Sequence, residues 1–469
     1  MRLFNTLTMR KEEFVPLEEG AVRMYACGPT VYDYIHVGNA RPMILFDVLR
    51  RYFEYRGYRV TFVQNFTDVD DKIIRRANAE GVAPEALAEQ YIGEYFTDAK
   101  GLGVRPASIH PKATESIEAI IELVERLAET GFAYEAAGDV YFRTEAFPGY
   151  GGLSRQPLED LKAGARVDVS DVKESPMDFA LWKSAKPGEP AWPSPWGPGR
   201  PGWHIECSAM AGRYLGKTID IHCGGQDLIF PHHENEIAQS EAANGCKFAN
   251  FWLHNGFLSI DNRKMSKSLG NFFTVRDAAA AYGYDTIRMF MLMSHYRSPL
   301  NYSGESLQQA KSGLERLYTA VDNLEFLIKS LPDTDSTTEE TAFLDGLSAY
   351  RDRFIGAMDD DFNTADAIAV IFELVRAVNT AAAPEKAPSK GLAEASLALL
   401  RELADVLGLL YQKHGAGEAL DEAVEEMIQA RNQARQEKNY KEADRIRDAL
   451  KDIGVVLEDT PQGVKWKRA

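Results

Sequence analysis

The sequence predicts an α/β chain in which a parallel sheet is interrupted by an insertion and followed by a long all-α region. Three observations lead there. Val22 to Cys27 reads as a strand, Ala40 to Tyr55 as a helix and Arg59 to Asn65 as a second strand. A strand, crossover helix and strand in that order make parallel neighbours. A stretch rich in proline and tryptophan, 186–200, breaks this pattern midway, and beyond Ser268 the apolar residues recur at helical spacing almost throughout.

Each element has a local reason. Ile44, Leu45, Val48, Leu49, Tyr52 and Phe53 share one face of the first helix, which Gly57 ends. Thr218 to His222 reads as another strand, followed by a helix from about His232 and a further strand within 250–260. The material between these halves opens with a helix at Thr114 to Thr130 and reads as the insertion. Farther on, Ile368, Ile371, Phe372, Val375 and Val378 form one stripe of a helix that starts at an Asn363 or Thr364 cap. Pro384 and Pro388 mark a loop, a helical hairpin is expected to about Leu410, and Gly415-Ala416-Gly417 reads as a linker to a last basic helical segment. The expected division is a Rossmann-like first half (1–113), a connective insertion (114–200), a second Rossmann half (201–260), a loop and stem-contact region (261–315), a helical bundle (316–412) and a small basic C-terminal segment (413–469).

Composition excludes some classes. No apolar run approaches bilayer length, and the first residues lack the pattern of a secretory signal, so a cytoplasmic protein with no membrane role is expected. The four cysteines, Cys27, Cys207, Cys223 and Cys246, are too widely spaced for a disulfide framework. With a net charge of -17, any contact with RNA must use a local basic patch. Arg431, Arg435, Lys438, Lys441, Arg445, Arg447, Lys451, Lys465, Lys467 and Arg468 supply one, or else a salt-bridged solvated helix.

The chemistry begins at His36-Val37-Gly38-Asn39, between the first strand and its helix, where open α/β sheets bind nucleotides. Gly38 permits close approach of a phosphate, and His36 can donate to charge developing on an α-phosphate. Downstream, Lys264-Met265-Ser266-Lys267-Ser268 offers two cations and two hydroxyls before Gly270, suited to a triphosphate. The pair resembles the signatures of class I aminoacyl-tRNA synthetases, which carry a His-Ile-Gly-His type motif early and a Lys-Met-Ser-Lys-Ser motif late. The second matches completely; the first has Val37 for isoleucine and Asn39 for the final histidine, and Asn39 keeps a donor at the helix start. The resemblance implies ATP-dependent activation of a carboxylate, with His36, Lys264 and Lys267 stabilising the transition state and Gly38, Asn39, Ser266 and Ser268 on ATP.

His232 and Glu236 stand four apart at the start of a helix and share a face, although His233 or Glu234 would serve as alternatives. Joined by Cys27 and Cys207 they make a Cys, Cys, His, Glu set soft enough for zinc. The segments 27–33, 202–208 and 230–236, together with Met358 to Thr364, are similar to those of the cysteinyl-tRNA synthetase family, nearly end to end. That resemblance implies one Zn2+ per chain on Cys27, Cys207, His232 and Glu236, binding the thiol of L-cysteine. It also implies Thr67, Trp203 and His222 around the amino acid, Asp227 on the adenylate, and Mg2+ with ATP. The acceptor would be tRNA(Cys), met by the helical anticodon-binding region of a monomeric enzyme, while Cys223 receives no role. Two other readings are a cysteine ligase paralogue that joins cysteine to an amino-sugar and a noncatalytic RNA-binding relative. The 358–364 segment and the basic C-terminus speak against the first, and the intact 264–268 motif against the second. Lys267→Ala is predicted to slow adenylate formation and leave bound metal unchanged; pyrophosphate exchange and metal analysis measure the two, and normal exchange would remove Lys267 from the mechanism.

Overall fold

The computed structural model describes residues 1–155, 172–260, 263–264, 273–412, 418–460 and 463–468. It divides into two compact units, the first comprising 1–311, 356–366 and 406–408. This unit opens with a hairpin, Arg2–Asn5 (β1) and Arg10–Glu13 (β2), followed by Ala21–Ala26 (β3) and Arg59–Gln64 (β4) joined through the helix Val37–Tyr55 (α1). The insertion carries its own antiparallel sheet, Ala133–Ala136 (β5), Asp139–Phe142 (β6), Phe179–Ser184 (β7) and Gly199–Pro201 (β8). Ile120, Leu123, Val124 and Leu127 of the helix Ile117–Glu129 pack against Phe142, Leu181 and Trp182 of that sheet. Ile219–Gly225 (β9) and Ala249–Asn255 (β10) then rejoin the first sheet.

The first sheet has the order β10-β9-β3-β4, with every pairing parallel. Its inner strands are buried at nearly every position, β9 at six of seven and β3 at five of six, as expected of a parallel sheet enclosed by the chain. The chain runs outward from β3 to β4 on one side and from β9 to β10 on the other. The carboxyl ends of β3 and β9 therefore flank the crevice where such sheets bind ligands.

Three boundaries differ informatively from the sequence reading. Helix α1 begins at Val37 rather than Ala40, which makes His36 its cap. The helix Trp203–Leu215 has no counterpart in that reading: 205–211 are all buried, so the segment lacks the polar face that marks an amphipathic helix. Residues 250–260 hold two strands, because β10 stops at Asn255 and Leu258–Ile260 (β11) joins a different sheet with Arg263–Lys264 (β12) and Leu300–Tyr302 (β13).

The second unit, 312–355, 367–405 and 409–469, is mainly helical. Asn363 caps the helix Thr364–Ala381 by accepting from the Asp366 N–H at 3.1 Å, as expected. A single helix, Lys390–Val406, occupies the place of the expected hairpin. The C-terminal segment holds the helices Glu418–Gln436 and Tyr440–Asp452 and then an antiparallel pair, Val455–Thr460 (β14) and Gly463–Arg468 (β15), instead of helix to its end. Val424, Ile428, Leu450 and Val455, with Trp466, form its core. Part of the basic patch is internally neutralised: Arg431 and Arg435 both bond Asp459, and Arg445 bonds Glu442.

Among the described residues of the first unit, an arginine–aspartate pair is completely buried. Arg288 is 2.6 Å from Asp47, the two side chains being 0% and 1% exposed, and it also donates to the carbonyls of Leu102 and Leu407. Asp47→Ala leaves a buried guanidinium without its counter-charge, so destabilisation of about 3 to 5 kcal/mol is expected in urea unfolding.

Candidate functional site

Cys27 follows β3 directly and is level with Asn65, which follows β4, since Ala26 pairs with Gln64. The Gly28 N–H donates to Asn65 Oδ1 at 2.9 Å, and Cys207 Sγ lies 3.7 Å from the same oxygen. A Cβ at Gly28 would sit 1.6 Å from the Asn65 carbonyl oxygen, so only glycine lets the two chain ends lie together. Cys207 projects from the helix Trp203–Leu215, and His232 and Glu236 flank the start of the helix Glu234–Asn244. Glu234 anchors that helix by accepting the backbone N–H groups of Leu153 and Ser154, and Tyr150 bonds Asn235.

The structure brings together the four residues proposed from sequence. Donor atoms of Cys27, Cys207, His232 and Glu236 all lie within 4.8 Å of one another. Glu236 Oε1 is 3.2 Å from Cys27 Sγ and 3.1 Å from His232 Nε2. Tetrahedral bonds of about 2.0 to 2.3 Å to one ion place ligand atoms about 3.3 to 3.8 Å apart, close to these separations. A second quartet, Cys27, His222, His233 and Glu236, also meets the 4.8 Å limit. The first has two thiols to the second's one and is the softer set.

The electrostatics fit a cation. Burial, followed by the neighbouring Cys207 and Glu236, holds the Cys27 thiol well above its ordinary value. Burial alone would raise the Glu236 carboxyl, but the adjacent His222 and His232 bring it below the usual range. Desolvation lowers His204, His232 and His254 to about 3, leaving neutral imidazoles with a lone pair to give. His232 Nδ1 contacts His204 Nδ1 at 2.8 Å, which leaves Nε2 facing Glu236. His222 holds the other carboxylate oxygen at 2.8 Å. On the far side His233 Nδ1 meets His254 Nε2 at 2.7 Å, and His254 Nδ1 meets the Thr6 hydroxyl at 2.8 Å.

The expected substrate residues surround this cluster with different exposure. Trp203 is 42% exposed and stacks on His232, ring centroids 4.4 Å apart. Thr67 is buried and donates to Glu206 Oε2 at 2.8 Å, and Asp70 caps the helix that follows. His222 is fully buried between Tyr25 and Trp252 in the register of β3, β9 and β10. Asp227 is exposed on the turn Gln226–Leu228 that leaves β9. Glu206, Asn65, His204 and His254 are the residues that the sequence reading left without a role. An unpaired acid in the otherwise small and apolar run 205–211 was a signal for Glu206; the others bond only to partners distant in sequence and left none.

At the turn expected to meet ATP, Asn39 Oδ1 accepts from the His36 N–H at 3.1 Å and closes the first turn of α1, while Gly38 lies between them. The Val37 N–H donates to Phe273 O and the Val275 N–H to Ile35 O. The chain that leaves β12 at Lys264 thus returns, at Phe273, onto the His36 turn. Met265 to Gly270, with Ser266, Lys267 and Ser268, lie outside the described residues, and so does the Lys264 side chain.

His254 predicts a pH dependence. Below about pH 6.5 the unfolded chain binds a proton there that the folded chain refuses until about pH 3, so stability rises with pH across that window. Urea midpoints at pH 5 and pH 7 are expected to differ less in His254→Gln, which keeps a polar partner for Thr6, than in the unaltered chain.

Comparison with known proteins gives consistent matches. The model described as tRNA synthetases class I (C) catalytic domain matches residues 13–312, a DALR domain matches 353–412, and the cysteinyl-tRNA ligase anticodon binding domain matches 418–466. The cysteine–tRNA ligases of Clostridioides difficile (strain 630) and Symbiobacterium thermophilum are 57% and 58% identical, each match covering 100% of both chains. Among solved structures, Mycobacterium tuberculosis methionyl-tRNA synthetase in complex with methionyl-adenylate superposes with a TM-score of 0.61 at 18% identity, covering 82% of this chain and 89% of that one. That likeness concerns the fold alone.

Proposed function

The chain belongs to the cysteine–tRNA ligase family, and from that premise we propose how its residues divide the work of the reaction. The enzyme joins cysteine to tRNA at the expense of ATP. A carboxylate oxygen of cysteine attacks the α-phosphorus, pyrophosphate leaves, and a ribose hydroxyl of the terminal adenosine of tRNA then displaces AMP from the carbonyl. No protein nucleophile takes part, so catalysis rests on positioning and on charge stabilisation.

His36, Lys264 and Lys267 are assigned to the transition state. Gly38, Asn39, Ser266, Ser268 and Asp227 are assigned to ATP, which arrives with Mg2+. Thr67, Trp203 and His222 are assigned to the amino acid. In support, Trp203 offers an open ring face beside His232, and Glu206 fixes the Thr67 hydroxyl. His222 acts from behind, orienting Glu236.

The observation that carries the reading is the convergence of Cys27, Cys207, His232 and Glu236 where Cys27 follows β3. Two thiols, an imidazole and a carboxylate with ion-ligand spacing suit Zn2+, one per chain. Bound there, zinc would prefer a substrate thiolate to a serine hydroxyl, a distinction that a pocket wall alone makes poorly. We read the catalytic part as two halves, 1–113 and 201–260, around the connective piece 114–200, with 261–315, 316–412 and 413–469 following. The enzyme is read as a cytoplasmic monomer. No helix among the described residues is long and apolar enough to cross a membrane. The amino-sugar ligase and the noncatalytic relative are both disfavoured by full-length identity to tRNA ligases.

Cysteine-dependent pyrophosphate exchange with parallel zinc analysis tests the assignment. One zinc per chain is expected, with Cys207→Ser losing both metal and preference over serine and His233→Gln keeping the metal. Labelled cysteine should pass to tRNA and not to an amino-sugar. Full zinc occupancy in Cys207→Ser would overturn the ligand set.

A further inference from the structure

The turn 293–299 is held from two sides by buried charged residues outside every motif assigned to the reaction. On one side is Arg41, fully buried on α1 five residues beyond His36. It donates to the Gly256 and Phe257 carbonyls at 2.7 and 3.0 Å, and to the His295 and Ser298 carbonyls at 3.3 and 2.6 Å. On the other side is Asp361, also fully buried, with a left-handed φ of 67°. Its carboxylate accepts from the Phe4 N–H, the Tyr296 hydroxyl and Arg297 Nε, each at 2.8 Å.

These contacts meet at the root of the hairpin whose second strand ends at Lys264. Gly256 and Phe257 immediately precede β11, and a Cβ at Gly256 would fall 2.5 Å from Ser298 O, so the turn and the hairpin root are pressed together. The Gly256 N–H donates to Tyr296 O, and the Leu300 N–H to Phe257 O. From there β11 pairs with β12, Ser259 opposite Lys264. Arg41 therefore joins the helix that starts at His36 to the base of the arm that ends at Lys264. Asp361 fixes the turn through which that grip passes.

We propose that Arg41 and Asp361 are positioning residues for adenylate formation, setting the His36 turn and the Lys264 hairpin in one frame through the turn 293–299. The proposal rests on the activation reaction assigned above. A planar guanidinium reaching four carbonyls is a rigid spacer, and a lysine cannot reproduce its fork. A displacement near 1 Å between catalytic groups slows a reaction by about a hundredfold, so loss of the spacer should act on chemistry while leaving the amino-acid pocket intact.

Arg41→Lys, Asp361→Asn and the milder Tyr296→Phe, made in the full chain, test this by pyrophosphate exchange. Expected is a fall in kcat of about tenfold to a hundredfold for the two charged positions and a smaller one for Tyr296→Phe. The KM for ATP should rise, while the KM for cysteine and zinc content should hold in assays run well below each variant's thermal midpoint, which the two buried charged positions are expected to lower. Unchanged ATP kinetics in the folded variants would overturn the proposal, as would equal losses for ATP and cysteine that track a lowered midpoint. If one charged variant does not fold, the other and Tyr296→Phe decide. Exchange by the unaltered chain distinguishes the levels: its absence removes the activation reading and this proposal with it, and its presence beside silent variants removes only the positioning roles.

Discussion

The Gly28 N–H bond to Asn65 brings the ends of two parallel strands together, and the rest of the site is arranged around that junction. Because β3 and β4 are parallel and in register, Cys27 and Asn65 emerge side by side at the sheet's carboxyl edge. Asn65 then meets Cys207 across the crevice, and Glu206, one residue earlier on the same helix, meets Thr67. A sheet that reverses its winding between β3 and β9 has one place where two strand ends stand open. Among the described residues, donors from three separate segments meet there.

Around this junction the buried interior is polar. Glu236, His222, His232, His233 and His254 are all buried, and each meets another polar side chain within hydrogen-bond range. Buried polar groups are tolerated when they are paired, and a partly paired network is worse than an apolar core. His232 and His254 meet that requirement at both ring nitrogens, the first through His204 and Glu236 and the second through His233 and the Thr6 hydroxyl.

Much of this was legible in the sequence where the signal is local. His36 to Asn39 and His232 to Glu236 lie within single turns, so spacing alone puts their side chains together, and strand and helix patterns located the sheet that holds Cys27. The second quartet was not legible in the sequence: His233 stood there only as an alternative ligand, and His222 joins it through the register of β9 against β3. The helix Trp203–Leu215 escaped because a segment buried over 205–211 shows no amphipathic stripe. Arg41 left no trace either: it binds carbonyl oxygens, which every residue has, so nothing in its partners' identities announces the contact. The acidic run Asp359-Asp360-Asp361 read as a feature of the helical region. Its side chains instead bond Tyr52, Lys11 and the Phe4 N–H, three pieces of the catalytic unit, and such long-range ties carry no periodicity.

The spread of the four donors along the chain bears on biosynthesis. Cys27 leaves the ribosome early, but Glu236 appears only after about half of the 469 residues have been made, with the whole connective insertion in between. Until then Cys27 is a thiol at the end of a strand whose neighbour β9 does not yet exist. The centre can close only when the second half of the sheet docks, so capture of an ion would mark the completion of the catalytic unit during translation and would favour its docked state over earlier, partly formed ones.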